Sequence, residues 1–245
     1  MLVDTHCHLQ DDKLIDNIDE VVNSALNNDV KIMIVNGYDT KSNISAISLS
    51  KTYGPIYAAV GYHPTEQDDV DIEYLESVIN LDKVVAIGEI GLDYYYTKDN
   101  REQQIEKFVK QLDFAVKYNK PVIIHNRNAT DDMYHILKKY KGKIRGIIHC
   151  FSGSIETANM FIELGFLLGI GGVITFKKIV KELELKYFVL ETDSPYLTPE
   201  PYRKYLNEPK YVAQVAKYLS NLYDTDTVSS VTTKNALELF GISKY

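Results

Sequence analysis

What most limits the possible folds of this chain is a pattern that recurs eight times. Short runs of apolar, largely β-branched residues are each followed by a stretch with helical or turn-forming character. The runs are Leu2–His6, Val30–Asn36, Ile56–Gly61, Lys83–Glu89, Pro121–His125, Ile144–His149, Phe166–Ile170 and Tyr187–Asp193. Most are nearly unbroken in hydrophobicity, as strands covered on both faces of a parallel sheet must be. Their spacing of about thirty residues is that of one βα unit. Asp16 reads as an N-cap before Ile18, Val21, Val22, Ala25 and Leu26, which share one helical face. Ile105, Phe108, Val109, Leu112 and Val116 repeat that period, and Tyr211–Leu222 and Lys234–Phe240 read as closing helices. Between the seventh and eighth runs only Phe176–Leu185 is available for a helix. Eightfold strand–helix alternation predicts an α/β fold, a (β/α)8 TIM-type barrel with its active site at the C-terminal ends of the strands. An open doubly wound sheet is the alternative, but no Gly-x-Gly-x-x-Gly follows the first run, so a dinucleotide fold has no support.

The chain of 245 residues is near the ~250 of a typical barrel. Length alone also permits two small domains. With no Gly/Ser-rich or Pro-rich linker and no low-complexity run, one domain over 1–245 is the expectation. The first residues, Met1-Leu2-Val3-Asp4-Thr5-His6, lack the basic and apolar regions of a secretory leader. No apolar run approaches the ~20 residues of a membrane span. Two cysteines, Cys7 and Cys150, make no disulfide framework, and a reducing cytoplasm is expected. A formal net charge of −7 is opposite to the basic footprint of a protein that grips long nucleic acid. A phosphate-bearing substrate must therefore be attracted locally. No obligate protein partner is evident.

Five of the six histidines (His6, His8, His63, His125 and His149, with His135 the exception) fall at or just beyond the C-terminal end of a run. In a barrel that edge is the active-site face. Residues alternate across a strand, so Asp4, His6 and His8 share one face, and Cys7 is expected to pack outward. His149 and Ile147 likewise share a face opposite Cys150, while His135 lies in a helical stretch, Asp131–Tyr140. Glu89 closes the fourth run and Asp193 the eighth; an acid at the tip of an apolar strand is costly to bury unless a cation meets it. Two carboxylates and four histidines on one rim supply ligands for two divalent ions. Imidazole and carboxylate suit Zn, Mn, Fe or Ni, and a site with retained waters suits Mg. Glu191, one layer below Asp193, is placed to orient a ligand histidine, and Asp4 to do so beneath His6. Arg127, two residues past His125, is a candidate fork for a phosphate oxygen or else a partner for Asp131 or Asp132. Tyr94-Tyr95-Tyr96 could stack on bases or simply pack.

These residues stand in an ordered series: Val3-Asp4-Thr5-His6-Cys7-His8-Leu9, Val60-Gly61-Tyr62-His63-Pro64, Gly88-Glu89-Ile90-Gly91-Leu92-Asp93-Tyr94, Pro121-Val122-Ile123-Ile124-His125-Asn126-Arg127, Gly146-Ile147-Ile148-His149-Cys150-Phe151-Ser152-Gly153, Glu191-Thr192-Asp193-Ser194-Pro195-Tyr196-Leu197 and Asn207-Glu208-Pro209. Over nearly the whole chain it resembles the TatD family of metal-dependent deoxyribonucleases, a branch of the amidohydrolase-like barrels. The resemblance implies that His6, His8, Glu89 and Asp193 hold one metal and Glu89, His125 and His149 a second, with Glu89 bridging. It implies that Asp193 also activates the attacking water and that His63 contacts the phosphate or assists the leaving group. It further implies a divalent-metal-dependent deoxyribonuclease acting on DNA ends or short oligonucleotides, 3′ to 5′. Two departures stand out. Arg203-Lys204-Tyr205-Leu206-Asn207 departs from the glycine and second basic residue that the family commonly has in the stretch before Asn-Glu-Pro, so one expected phosphate contact is absent there and Arg203 is the candidate that remains. The segment between the seventh and eighth runs is also short.

Four neutral imidazoles and two carboxylates carry a formal charge of about −2, so two dications leave the mouth near +2. That favours an anionic phosphodiester over a neutral amide. The alternative activity on the same barrel is hydrolysis of an ester, amide or lactone, aminoacyl esters included, because a fold does not fix the bond cleaved.

Overall fold

A computed structural model describes residues 1–96, 99–176 and 181–243. Eight strands form one parallel sheet in sequential order: β1 (Leu2–Cys7), β2 (Val30–Asn36), β3 (Ile56–Val60), β4 (Val84–Asp93), β5 (Val122–Arg127), β6 (Gly146–Ile148), β7 (Phe166–Ile170) and β8 (Phe188–Leu190). The sheet curls on itself to a nearly closed barrel. Its seam is made by β1 and the residues just after β8, where Asp193 N–H donates to His6 O and His8 N–H to Ser194 O, both at 2.8 Å. Side chains reinforce the seam: Thr5 Oγ1 donates to Leu190 O, and Asp4 accepts from Thr192 N–H and hydroxyl at 2.9 and 2.6 Å.

The helices are α1 (Asp12–Ile15), α2 (Ile18–Asn27), α3 (Thr40–Thr52), α4 (Ile72–Val78), α5 (Arg101–Tyr118), α6 (Thr130–Lys138), α7 (Ile155–Glu163), α8 (Val212–Tyr223) and α9 (Val228–Phe240). Asp16 is not an N-cap: it ends the short α1, and α2 starts after Asn17. The segment expected to supply a helix after β7 does not read as one in its described part. There the chain makes only 3-10 turns at Gly172–Thr175 and Leu185–Tyr187, and residues 177–180 of the expected helix lie outside the described residues. None of the described helices is long and apolar enough to cross a membrane.

Two apolar layers follow from the alternation of strand side chains. The outer one lies between sheet and helices and includes Met33, Val35, Ile124 and, as expected, Cys7. The inner one is built from Val3, Ile32, Ile34, Ala59, Ile123, Ile147 and Val189, with Ala236, Leu239 and Phe240 of α9 packed against it. The register shifts at four places, between Leu2 and Val3, Asp4 and Cys7, Ala58 and Ala59, and Ile87 and Ile90, and the second and fourth bear on the site. Asp4 pairs with Met33 and Cys7 with Val35, so three residues of β1 pass two of β2. Likewise Ile87 pairs with Val122 and Ile90 with Ile124. Each bulge re-aims the residues after it, a device common beside active sites. Val3 can therefore fill the barrel interior while His6 and His8, of opposite parity, also point inward. In β4, Ile90 and Leu92 pack outward, and Glu89 and Asp93 turn to the mouth. Glu89 thus does not close β4, which continues four residues beyond it, and Asp193 lies past the end of β8 with a left-handed φ of 58°.

Candidate metal centre

Glu89 is the hub. Its Oε2 faces His6 Nε2 at 3.4 Å and His8 Nε2 at 3.5 Å. Its Oε1 faces His125 Nδ1 and His149 Nε2, both at 2.9 Å, and His63 Nε2 at 3.4 Å. Asp193 Oδ1 completes the first group, 3.6 Å from Nε2 of both His6 and His8. Donor atoms about 2.0–2.2 Å from one ion at tetrahedral angles stand about 3.4 Å apart. The spacing is of that size on the Oε2 side and shorter on the Oε1 side, 2.9 Å to both His125 and His149. Three sets of donors are close enough to share an ion: His6, His149 and Asp193; His6, His8 and Glu89; and His63, Glu89 and His125.

Hydrogen bonds at the far side of each ring say which nitrogens are bare. His8 Nδ1 lies 2.9 Å from the carbonyl of Asn36, which can only accept, so Nδ1 carries the proton and Nε2 of the neutral ring is a lone pair. His125 Nε2 lies 2.9 Å from Asp93 Oδ2, so its proton sits there and Nδ1 is bare. That leaves a lone pair facing the Glu89 carboxylate at 2.9 Å, and the His6 and His8 Nε2 atoms face each other at 3.1 Å. Lone pairs so close repel unless a proton or a cation lies between them, and a divalent ion fits this set. His63 is the reverse case. Its Nδ1 accepts from Thr65 N–H at 3.3 Å, so Nε2 carries the hydrogen and points at Glu89 as a donor.

Charge follows the same logic. Burial raises the cost of ionising Glu89, yet His149, His63 and His6 hold it well below the usual carboxylate range. Asp193 is also lowered: burial opposes, but the hydrogen bond from His8 and the charge of His6 outweigh it. Burial pushes His149 down, but Glu89 and Glu191 lift it well above the ordinary imidazole value. His8 and His125 are raised against burial by Asp193 and Glu89 and by Asp93 and Glu89, respectively. His6 and His63 are lowered, chiefly by burial. Without metal, protons therefore occupy positions an ion would take.

The structure brings His6, His8, His63, Glu89, His125, His149 and Asp193 together and separates the other candidates. His135 is an exposed residue of α6 bonded to Asp131 O. Asp4 does not lie beneath the His6 ring, whose buried Nδ1 has no partner among the described residues; it spends its oxygens on Thr192 and the His6 backbone, and burial pushes its carboxyl up to about 8. Glu191 does sit under His149, Oε1 to Nδ1 at 3.7 Å, and also accepts from Cys150 N–H. A Cβ at Gly169 would meet Glu191 Oε2 at 2.2 Å, so only glycine leaves that carboxylate room. Arg127 pairs with neither Asp131 nor Asp132. Asp132 is taken by Arg101 and Tyr94, and the Arg127 guanidinium lies instead over the rings of Tyr95 and Tyr96. Arg203 lies over Phe176 and donates to Thr198 O, away from the cluster's contacts. Two residues were quoted within motifs but given no task. Asp93 orients His125, and Asn207 Nδ2 donates to Thr192 O at 2.8 Å and to Tyr196 O, bracing the loop that carries Asp193. Asp93's spacing of four from Glu89 was the available signal.

A family model described as TatD related DNase matches residues 3–241. The chain is 39% identical to a Bacillus subtilis protein described as the metal-dependent hydrolase YabD, over 99% of this chain and 100% of that one. It is 35% identical to the Escherichia coli metal-dependent hydrolase YcfH, over 98% and 96% of the two chains. Among solved structures, the Escherichia coli TatD homolog YjjV superposes with a TM-score of 0.92 at 30% identity, covering 99% of this chain and 98% of that one.

Proposed function

The chain belongs to the TatD family of metal-dependent hydrolases, and on that footing we propose that it is a deoxyribonuclease that trims DNA from a 3′ end with two divalent ions, one on each side of Glu89. The observation that carries this reading is the division of labour at Glu89. One oxygen faces His6 and His8, and the other faces His125 and His149. Ions held by His6, His8, Glu89 and Asp193 and by Glu89, His125 and His149 would supply Lewis acidity to the phosphoryl oxygens and lower the pKa of the attacking water. The chain's own groups do the rest. Asp193, held ionised by His8 and His6, accepts the proton of the attacking water at a carboxylate oxygen. His63, its Nε2–H fixed by Thr65 and its ring kept neutral by burial, donates a hydrogen bond to a phosphate oxygen. Asp93 keeps the His125 ring turned so that Nδ1 faces inward.

A net charge of −7 with few rim cations suits short contacts at a strand end better than a grip along a duplex. Neither cysteine forms a disulfide, which suits a reducing cytoplasm. The test is digestion of end-labelled single- and double-stranded DNA with Mg, Mn, Zn, Ni or Fe added, an EDTA control, and ester and amide substrates in parallel. Release of nucleotides from the 3′ end supports the reading. Turnover of an ester or amide with no phosphodiester cleavage replaces it with the alternative hydrolase.

A further inference from the structure

The rim beside His125 carries a feature that the metal cluster does not need. Tyr95 and Tyr96 follow β4 and are 53% and 66% exposed, unusual for large rings that could have packed. They meet edge to face, with centroids 5.0 Å apart and planes at 87°. The Arg127 guanidinium lies in the angle between them, 4.2 Å from one ring centroid and 4.7 Å from the other. Among the described residues no carboxylate pairs with Arg127, so its charge is not cancelled locally. Its place is fixed by register. Arg127 is two residues beyond His125 on β5, about 7 Å along the strand. One carboxylate ties the two places together. Asp93 Oδ2 bonds to His125 Nε2, and Asp93 Oδ1 accepts the backbone N–H groups of both Tyr95 and Tyr96 at 2.9 Å.

We infer that Tyr95, Tyr96 and Arg127 form a subsite for one unpaired nucleotide next to the scissile phosphate, the rings taking its base and the guanidinium its flanking phosphate; this rests on the deoxyribonuclease reading above. The ring faces turned away from Arg127 are open to a flat, electron-poor partner. The cation behind them strengthens their hold on an anionic nucleotide. Stacking on an aromatic ring accepts any base but needs its face uncovered, which is true of a single strand and false within a duplex. With Asp93 fixing the tyrosine backbone to the ring of His125, the base and the reacting phosphate are held in one frame. The subsite therefore selects for a frayed or single-stranded end and not for sequence.

The test uses the metal-loaded protein and a phosphorothioate-linked decathymidylate, which resists cleavage, with binding followed by fluorescence anisotropy. A second oligonucleotide carries an abasic residue beside the terminal linkage. Tyr95→Ala/Tyr96→Ala should bind the intact oligonucleotide roughly 5- to 150-fold more weakly than wild type, the range expected for one stacked base. Both proteins should bind the abasic oligonucleotide alike. Tyr95→Phe/Tyr96→Phe should restore binding, because the ring and not the hydroxyl stacks. Arg127→Gln should lower the log–log salt slope by about 0.7, one single-strand phosphate contact. Metal content should stay at wild-type level in every variant. Equal binding of the intact oligonucleotide by wild type and the double alanine variant overturns the inference, as does an equal loss on both oligonucleotides. A wild-type protein that cleaves neither DNA nor bis(p-nitrophenyl) phosphate sinks the deoxyribonuclease reading instead, while the binding comparison still decides the subsite.

Discussion

The two ends of the barrel are built from the same strands and have opposite chemistry. Within β1, Val3 joins the inner apolar layer and His6 the donor cluster; β5 does the same with Ile123 and His125. Past β6, His149 follows Ile147 into the cluster. At the lower end, Ala236, Leu239 and Phe240 of α9 pack against the inner layer, and burial of apolar surface accounts for its stability. At the upper end, buried imidazoles and carboxylates face one another with lone pairs that protons or cations must separate. The contrast teaches that in β1, β5 and just past β6 stability and chemistry are separated by two or three residues. Changes at one end should therefore leave the other intact.

The largest expected effect is at the hub. Glu89→Gln removes the carboxylate that serves both sides, so turnover should be lost together with metal, as read by elemental analysis and a phosphodiesterase assay. Two ions still bound at wild-type affinity would show that the two donor groups do not depend on Glu89. Next is His63→Ala, which should cut the rate by ~10²–10³ through loss of a hydrogen bond to the phosphate, with metal content unchanged. Loss of an ion in that variant would make His63 a ligand and blur the line between donor and reactant. At the opposite end, Phe240→Ala should cost about 3 kcal/mol of stability by denaturant titration, the low end for a buried phenylalanine. Metal affinity should not change, and a change there would break the separation of the two ends.

The smallest effect is a pH dependence. His8, His125 and His149 are raised above the ordinary imidazole value in the metal-free protein. The stability these imidazoles contribute is full below about pH 6.5, their unfolded value, and is lost as pH rises through their higher folded values. Metal must displace those protons, so affinity should climb with pH from near neutrality upward. Each ion bound should release protons, measurable by calorimetry in buffers of different ionisation enthalpy. Glu89 and Asp193, held low, should release none. Uptake of protons on metal addition contradicts this account.

Most of the barrel was legible because a strand buried on both faces has little freedom of composition: Val30–Asn36 and Phe166–Ile170 are bounded as read. The grouping of histidines at one edge was also legible, since it needs only strand order and direction. Bulges were not. Nothing in Ile87-Gly88-Glu89-Ile90 announces that three residues will pass two of β5, and reading Glu89 as a strand tip missed Ile90–Asp93. The task of Asp93 was hidden for the same reason, because the extended part of β4 is what sets it beside His125. Asp4 misled through ideal alternation, which put it under His6 when the bulge turns it to Thr192. Of the helix expected over Phe176–Leu185, residues 177–180 lie outside the described residues, residues 181–184 form turns and no helix, and Leu185 opens a 3-10 turn.

The seam of the barrel has a consequence for how the chain stays folded. Its first and last strands are joined by a few backbone bonds around His6, His8, Asp193 and Ser194. The groups that face one another across that seam include His6 and His8 from one side and Asp193 from the other. An ion held by all three would be a cross-link between the beginning of the chain and a point nearly two hundred residues later. Closing so long a loop is entropically the most demanding event in the assembly of this topology. The metal would then act as a clasp as well as a reagent. Starving the protein of metal would loosen the ring at its one break before it disturbed any helix.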